Sequence, residues 1–342
     1  MDLNDEFERK HMASIRKIQK KINRHYRDTI DKIYRKAFAI RYNGETFKIS
    51  DFPYLAKHID EVLVEFAEYL NIILVNGVKF EWDLSGEKNA AIILKAYGDE
   101  NVSEIVKSII YNPQKSALET FLSQKSRGLS LSDRVWKYTS QFRSEIEKNL
   151  FIGLEERKTA AEMARDQKQY LNEPDRLFRK VRDAKGKLVL STNARNYRPG
   201  QGIYRSSYKN AVRLTRNVVN DAYRESDMVR YRSIPFILGY EIKLADNHPR
   251  YDICDQLKGV YPKTFSWRKW HVNCICFCVS KLPSMEEYEK YEDAILNGTS
   301  DGFKFKDSVT ENNPAIRKYL QENREMLNRL SRKPDWIAQN NL

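Results

Sequence analysis

The sequence predicts an α+β protein that is predominantly helical: long amphipathic helices with a small β-containing domain rich in Cys and His. Three observations predict it. Apolar residues recur every three or four positions over long stretches, the period of a helix face. Strand-like runs are few and short, "FILGYEIKLA" foremost. All four cysteines, Cys254, Cys274, Cys276 and Cys278, fall in one short region.

The first helix carries Ile15, Ile18, Ile22, Tyr26, Ile30, Ile33 and Tyr34 on one face and many Lys and Arg on the other. The spacing predicts a core-facing helix with a solvated basic side, in preference to a dedicated DNA-binding helix. "RYNGETFKI" then places an Asn-Gly turn between two short strands. "DEVLVEFAEYLNIILVNG" reads as a buried helix ended by Gly77. "SLSDRVWKYTSQFRSEIEKNL" is a further amphipathic helix, its stripe Val135, Tyr138, Phe142 and Ile146, with Ser132 as its N-cap. In "GLEERKTAAEMARDQKQYL", Thr159 and Glu162 have the spacing of a capping box, and Pro174 stops the helix.

"FRKVRDAKGKLVLS" predicts a hairpin turned at Lys185-Gly186, with Val189 and Ser191 on one face and Leu188 and Leu190 on the other. "NYRPGQG" is a loop by composition. "SSYKNAVRLTRNVVNDAYRESDMVRYRS" is a long helix capped by Ser206 or Ser207. After the cysteines, Ser284 with Glu287 opens one capped helix and Pro314 opens the last. Three regions follow: 1–150 helical, 151–282 holding the cysteines, and 283–342 a helical tail.

A chain of 342 residues with 41% hydrophobic content can bury one large core or two modest ones. No apolar run is long enough to cross a membrane, and "MDLNDEFERKHMAS" has no apolar core of the signal-peptide kind. A cytoplasmic site of synthesis is expected, where disulfides are disfavoured and clustered cysteines point to metal.

Net charge is +13, which favours a polyanionic partner, nucleic acid first. Between Leu171 and Ser233, fifteen basic residues face six acidic ones, most of the excess. Arg195, Arg198, Arg205, Lys209, Arg213 and Arg216, interleaved with Tyr197, Tyr204 and Tyr208, are the candidate contacts to a phosphate backbone or an acidic protein surface. An ordinary solvated helix with structural ion pairs is the competing reading.

In "WHVNCICFC", His271 and Cys274 have the separation that lets one tight turn offer two ligands to one ion. Cys274, Cys276 and Cys278 alternate, so on a strand they share a face. Cys254 lies far enough upstream to return from a neighbouring element. Cys254, His271, Cys274 and Cys276 are therefore the candidate set for a structural Zn²⁺. Spacing alone also permits buried free thiols, or a redox or catalytic site. His248, with Asp246 and Asp252 nearby, reads first as part of a polar turn and second as a metal or acid–base group. Phosphate-binding glycine loops, H-E-x-x-H and G-x-S-x-G are absent.

"ADNHPRYDICDQLKG" followed by "WHVNCICF" resembles the signature of the phage Mu F-type minor head proteins, or phage head morphogenesis proteins. That pattern falls on Asp246, Cys254, Leu257, Gly259, His271, Cys274 and Cys276. The two preceding helices and "PGQGIYRSSYKNA" are similar to members from Bacteroides-type phages and prophages. The likeness covers roughly residues 150–280. Two departures stand out: Arg216-Asn217-Val218 where the family reads Arg-Thr-Glu, and Val272 where it has Pro.

The resemblance implies a minor capsid protein in the capsid interior at the portal vertex. It would contact portal protein and capsid components, assist head assembly and meet packaged double-stranded DNA. It implies no enzyme and no membrane. Cys278, outside the pattern, would be a spare core thiol. A metal-dependent nuclease and a zinc-containing DNA-binding protein are the alternatives.

Overall fold

The computed structural model describes residues 3–36, 47–174, 181–186, 188–189, 206–246, 248 and 250–342. It is predominantly helical α+β. The chain divides into two compact units of discontinuous segments: Met1–Ile15, Gly77–Phe121 and Asn217–Leu342 form one, Arg16–Asn76 and Leu122–Arg216 the other. Three helices, α1 (Leu3–Lys36), α2 (Pro53–Tyr97) and α7 (Ser207–Ser233), supply residues to both.

In the second unit the predicted stripe of α1 is buried. Tyr26 packs its ring on Phe66 of α2, on Phe142 of α5 (Leu131–Glu155) and on Tyr208 of α7, with centroids 4.7, 4.8 and 5.4 Å away. Helix α6 (Ala160–Asn172) starts at the expected capping box of Thr159 and Glu162 and ends before Pro174. Asn149 of α5 ties it down by donating to the Met163 carbonyl. The 181–189 hairpin forms, with β1 (Val181–Arg182) antiparallel to β2 (Leu188–Val189) and Gly186 at positive φ in the turn. The facing of its side chains, and the loop 196–202, lie outside the described residues.

Three local expectations are corrected. Helix α2 runs through Gly77 to Tyr97. A glycine inside a helix costs about 1 kcal/mol, and burial of Val78, Trp82, Ala90 and Ile93 beyond it outweighs that. The terminator is Gly98, at φ 85°. Helix α5 is capped by Ser130, not Ser132. The residue three after Ser130 is Asp133, whose carboxylate returns a bond to the Ser130 amide; three after Ser132 is Val135, which has no group to return one. Of the predicted hairpin around Asn43-Gly44, the turn lies outside the described residues, and Ile49–Asp51 form a 3₁₀ turn rather than a strand.

The first unit holds α3 (Glu104–Ile110), α4 (Lys115–Ser123, through Phe121) and the sheet. Strand β3 (Gly239–Lys243) is central, with β4 (Gly259–Tyr261) and β5 (Phe277–Lys281) antiparallel on either side. Tyr240 faces Tyr261 on one neighbour and Ser280 on the other; Ile242 faces Gly259 and Cys278. A five-residue helix α8 (Ile253–Leu257) precedes β4. The tail adds α9 (Met285–Leu296), α10 (Pro314–Glu322), α11 (Arg324–Asn328) and α12 (Asp335–Ala338). Tyr288, Ile316 and Trp336 from 283–342 lie in the same buried cluster as the sheet and the cysteines, so this tail shares their core.

Candidate metal centre

Asp252 opens α8 with a reciprocal cap: its carboxylate accepts from the Cys254 amide at 2.6 Å, and Asp255 accepts from the Asp252 amide at 2.9 Å. That cap turns Cys254 inward, fully buried. Leu257 packs beneath it in the core. Gly259 sits at φ 127°, and a Cβ there would lie 2.6 Å from the Asn313 side-chain nitrogen. The Leu-x-Gly spacing therefore has a local reason: an apolar anchor, then a backbone geometry that favours glycine. Asp246 lies exposed in the turn after β3.

The opposite wall is the turn His271–Cys274, closed by the Cys274 amide donating to the His271 carbonyl. Asn273 takes the left-handed conformation at φ 62°, a region Asn tolerates. Its amide donates to Asn217. The buried Arg224 guanidinium donates to the Cys274 carbonyl at 2.8 Å and the Arg268 carbonyl at 2.9 Å, and lies over the Trp267 ring. The approach to β5 is extended. Cys274, Cys276 and Cys278 alternate as buried residues with the half-buried Ile275 and Phe277 between them. Only Cys278 is in the strand itself; Cys274 and Cys276 lie before it.

Three of the four sequence-predicted ligands, Cys254, His271 and Cys274, converge, while Cys276 groups with Cys254 and His248 instead. Cys254 Sγ lies 3.7 Å from Cys274 Sγ and 3.1 Å from His271 Nε2. Two thiolates on one tetrahedral zinc are about 3.8 Å apart, and a thiolate and an imidazole about 3.5 Å. The His271 ring is oriented as a ligand's would be: Nδ1 donates to the Val272 carbonyl at 2.9 Å, which leaves Nε2 toward the sulfur. Cys274 is held well below the ordinary thiol range by hydrogen bonds from Cys254 and Cys276, helped by Arg224. Cys254, as the donor to Cys274, is pushed up.

Three groups of donors among the described residues have ligand atoms all within 4.8 Å of one another: Cys254, His271 and Cys274; His248, Cys254 and Cys276; and His248, Asp252 and Asp255. His248, read from sequence first as part of a turn and second as a metal or acid–base group, is thus placed as a candidate donor. Its side chain is 9% exposed against 38% for His271. The arrangement can hold a metal ion. Cys278 stands apart, donating to Asp227 from the sheet core.

Of the predicted basic residues, Arg195, Arg198 and Arg205 lie outside the described residues. Lys209, Arg213 and Arg216 are half-buried on α7. Arg224 and Arg230, from the same Arg-rich stretch, turn inward, and Arg230 donates to Ser226. Sequence reading missed the polar interior they join. His11 bonds Glu81 at 2.5 Å and Asn220 at 2.7 Å, and stacks on Tyr223. Lys88 bonds Asp227 at 2.6 Å, and Ser85 and Asn89 donate to the same carboxylate. Burial pulls the charged forms of His11 and Lys88 down, but Glu81 and Asp227 outweigh it and hold both above their ordinary values. One signal was available: His11 lies four residues before Ile15, inside the apolar stripe.

In the second unit, Arg16, Lys20, Arg24 and Arg27 of α1 line an open groove of about 590 Å³ with Tyr208 of α7.

No protein-family model matches the chain, and no curated protein or solved structure is significantly similar to it. No helix among the described residues is long and apolar enough to cross a membrane.

Proposed function

We propose that this chain is a minor head protein of a tailed phage or prophage, built around a structural zinc centre and acting at the portal vertex during head assembly. The observation that carries the reading is the meeting of the signature residues. Cys254 meets His271 and Cys274 from a separate segment, and Cys276 joins Cys254 and His248 beside them, while Leu257 and Gly259 have packing and backbone reasons for their places. An order of motifs that resembles a head-protein signature thus coincides with ligand spacing suited to zinc. Zinc would join α8 to the approach of β5 and supply cross-linking rather than chemistry.

Contact with packaged DNA belongs to the same reading. The exposed cations lining the α1 groove support it, and a backbone-directed, sequence-independent mode fits them. The portal protein is the expected docking partner.

The test is fractionation of a producing host. The chain is expected to co-purify with heads in few copies and to cross-link to the portal protein. Absence from both purified virions and immature heads overturns the proposal.

One observation favours a second reading: His248 beside Asp252 and Asp255 could hold a divalent ion for phosphodiester hydrolysis. Metal-dependent DNA cleavage that disappears in His248→Ala would establish it.

A further inference from the structure

We infer that the cysteine cluster is built for two divalent ions of the zinc class, bridged by the Cys254 thiolate, with His248 and Cys276 holding the second. This rests on the metal reading above and extends it to a site with its own ligands.

The donors do not gather as one set of four. They form two trios that share Cys254: His271 and Cys274 complete one, His248 and Cys276 the other. A sulfur with several lone pairs can bridge two ions, whereas an imidazole nitrogen that binds metal has one. Cys254 is the donor common to both trios and the only one placed to bridge them.

The donor count agrees. Two four-coordinate ions sharing one thiolate need seven donors. The region offers three thiolates, two imidazoles and the carboxylates of Asp252 and Asp255. Asp252 Oδ2 lies 3.1 Å from His271 Nε2, though Asp252 groups with His248 and Asp255 rather than with Cys254 and Cys274. Asp255 Oδ2 lies 3.7 Å from His248 Nδ1, beside the second. Three thiolates and two carboxylates carry five negative charges against four positive on the ions.

His248 is fixed for the role by its surroundings. Its amide donates to the Ala245 carbonyl at 2.9 Å, which holds the turn, and its ring is nine-tenths buried against the two carboxylates. The two halves differ in protection. The first trio includes His271, 38% exposed, whereas His248 is 9% exposed and Cys276 is buried. The first ion therefore lies nearer solvent and exchanges faster than the second.

The experiment is metal analysis of the full chain, purified under reducing, chelator-free conditions with zinc supplied. Two zinc ions per chain are expected. His248→Ala should retain one, and Cys254→Ser should retain fewer than one. NMR of the cadmium-substituted wild-type chain needs no variant to fold, and should give two resonances coupled through the shared sulfur. One zinc per chain, unchanged by His248→Ala, overturns the two-ion centre and leaves the structural zinc standing. One zinc lost with His248→Ala and kept with His271→Ala also overturns it, making His248 the ligand of a single ion. No zinc in any preparation overturns both readings.

Discussion

Cys254 and Cys274 lie twenty residues apart in the chain, yet their sulfurs stand 3.7 Å apart. That is the separation of two thiolates on one zinc. A short helix cap places one and an Asn273 left-handed turn places the other. Metal binding then becomes part of local folding free energy. Cys274→Ser should release metal from its side of the cluster and raise amide exchange across 246–281 at least roughly tenfold. Exchange in the 16–36 segment of α1 should stay unchanged. Hydrogen exchange followed by mass spectrometry, with and without a chelator, measures both.

Gly259→Ala should destabilise the first unit by roughly 2 kcal/mol. The backbone at φ 127° is strained for any residue with a side chain, and the added carbon would meet the Asn313 amide. Asn313→Ala in the same chain removes the contact but not the strain. The double variant should therefore recover only part of the loss in urea titration.

Arg224→Ala should cost roughly 3 kcal/mol or more. It removes the donor to the Arg268 carbonyl, leaves the Cys274 carbonyl only the long bond from Asn220 at 3.5 Å, and opens a cavity over Trp267. Arg224→Lys should recover little, because a point charge cannot span both carbonyls as the planar fork does. Urea titration of the three proteins decides it.

The periodicity of α1 was readable because one face of one helix carries it: every apolar residue assigned to the core is buried there. The Thr159–Glu162 cap was readable because both partners lie within one turn. Gly77 misled because its local signal is a helix stop, while what holds α2 straight through it is packing from distant segments. The buried polar interior was hidden for the same reason. Lys88 and Asp227 are 139 residues apart, and nothing in either neighbourhood names the other. The cysteine alternation pointed to the candidate metal site. His248 did not stand out, since a histidine beside a proline in a polar run has the composition of a turn, and only the fold brings it to Cys276.

Glu145 supplies a pH dependence to the second unit. It is fully buried, accepting from the amide and hydroxyl of Ser207 at the start of α7, and burial pushes its carboxyl up to about 8, opposed by those hydrogen bonds. A carboxyl raised in the folded state binds its proton more tightly there than in the unfolded chain. Its stabilising contribution is complete below pH 4.5 and is lost as pH rises through 8. The full shift corresponds to at most about 5 kcal/mol. Glu145→Gln should flatten the stability profile between those limits, as read from urea midpoints across the range.

The α1 groove makes the DNA proposal quantitative. Arg16 and Arg27 are eleven residues apart on one helix, about 16 Å along its axis, a span that passes about five phosphates of one DNA strand. Each phosphate neutralised releases condensed counterions and adds about 0.9 to the salt slope. Replacing Arg16, Lys20, Arg24 and Arg27 with Gln should lower the slope of log Kobs against log salt by about three to four, evenly across DNA sequences. The buried Arg224 and Arg230, already bonded to backbone carbonyls, have no part in that slope. Fluorescence anisotropy on a duplex oligonucleotide over a salt series measures it. An unchanged slope would move the contact away from α1 and onto the Arg-rich segment before α7, where Arg195, Arg198 and Arg205 are the next residues to replace.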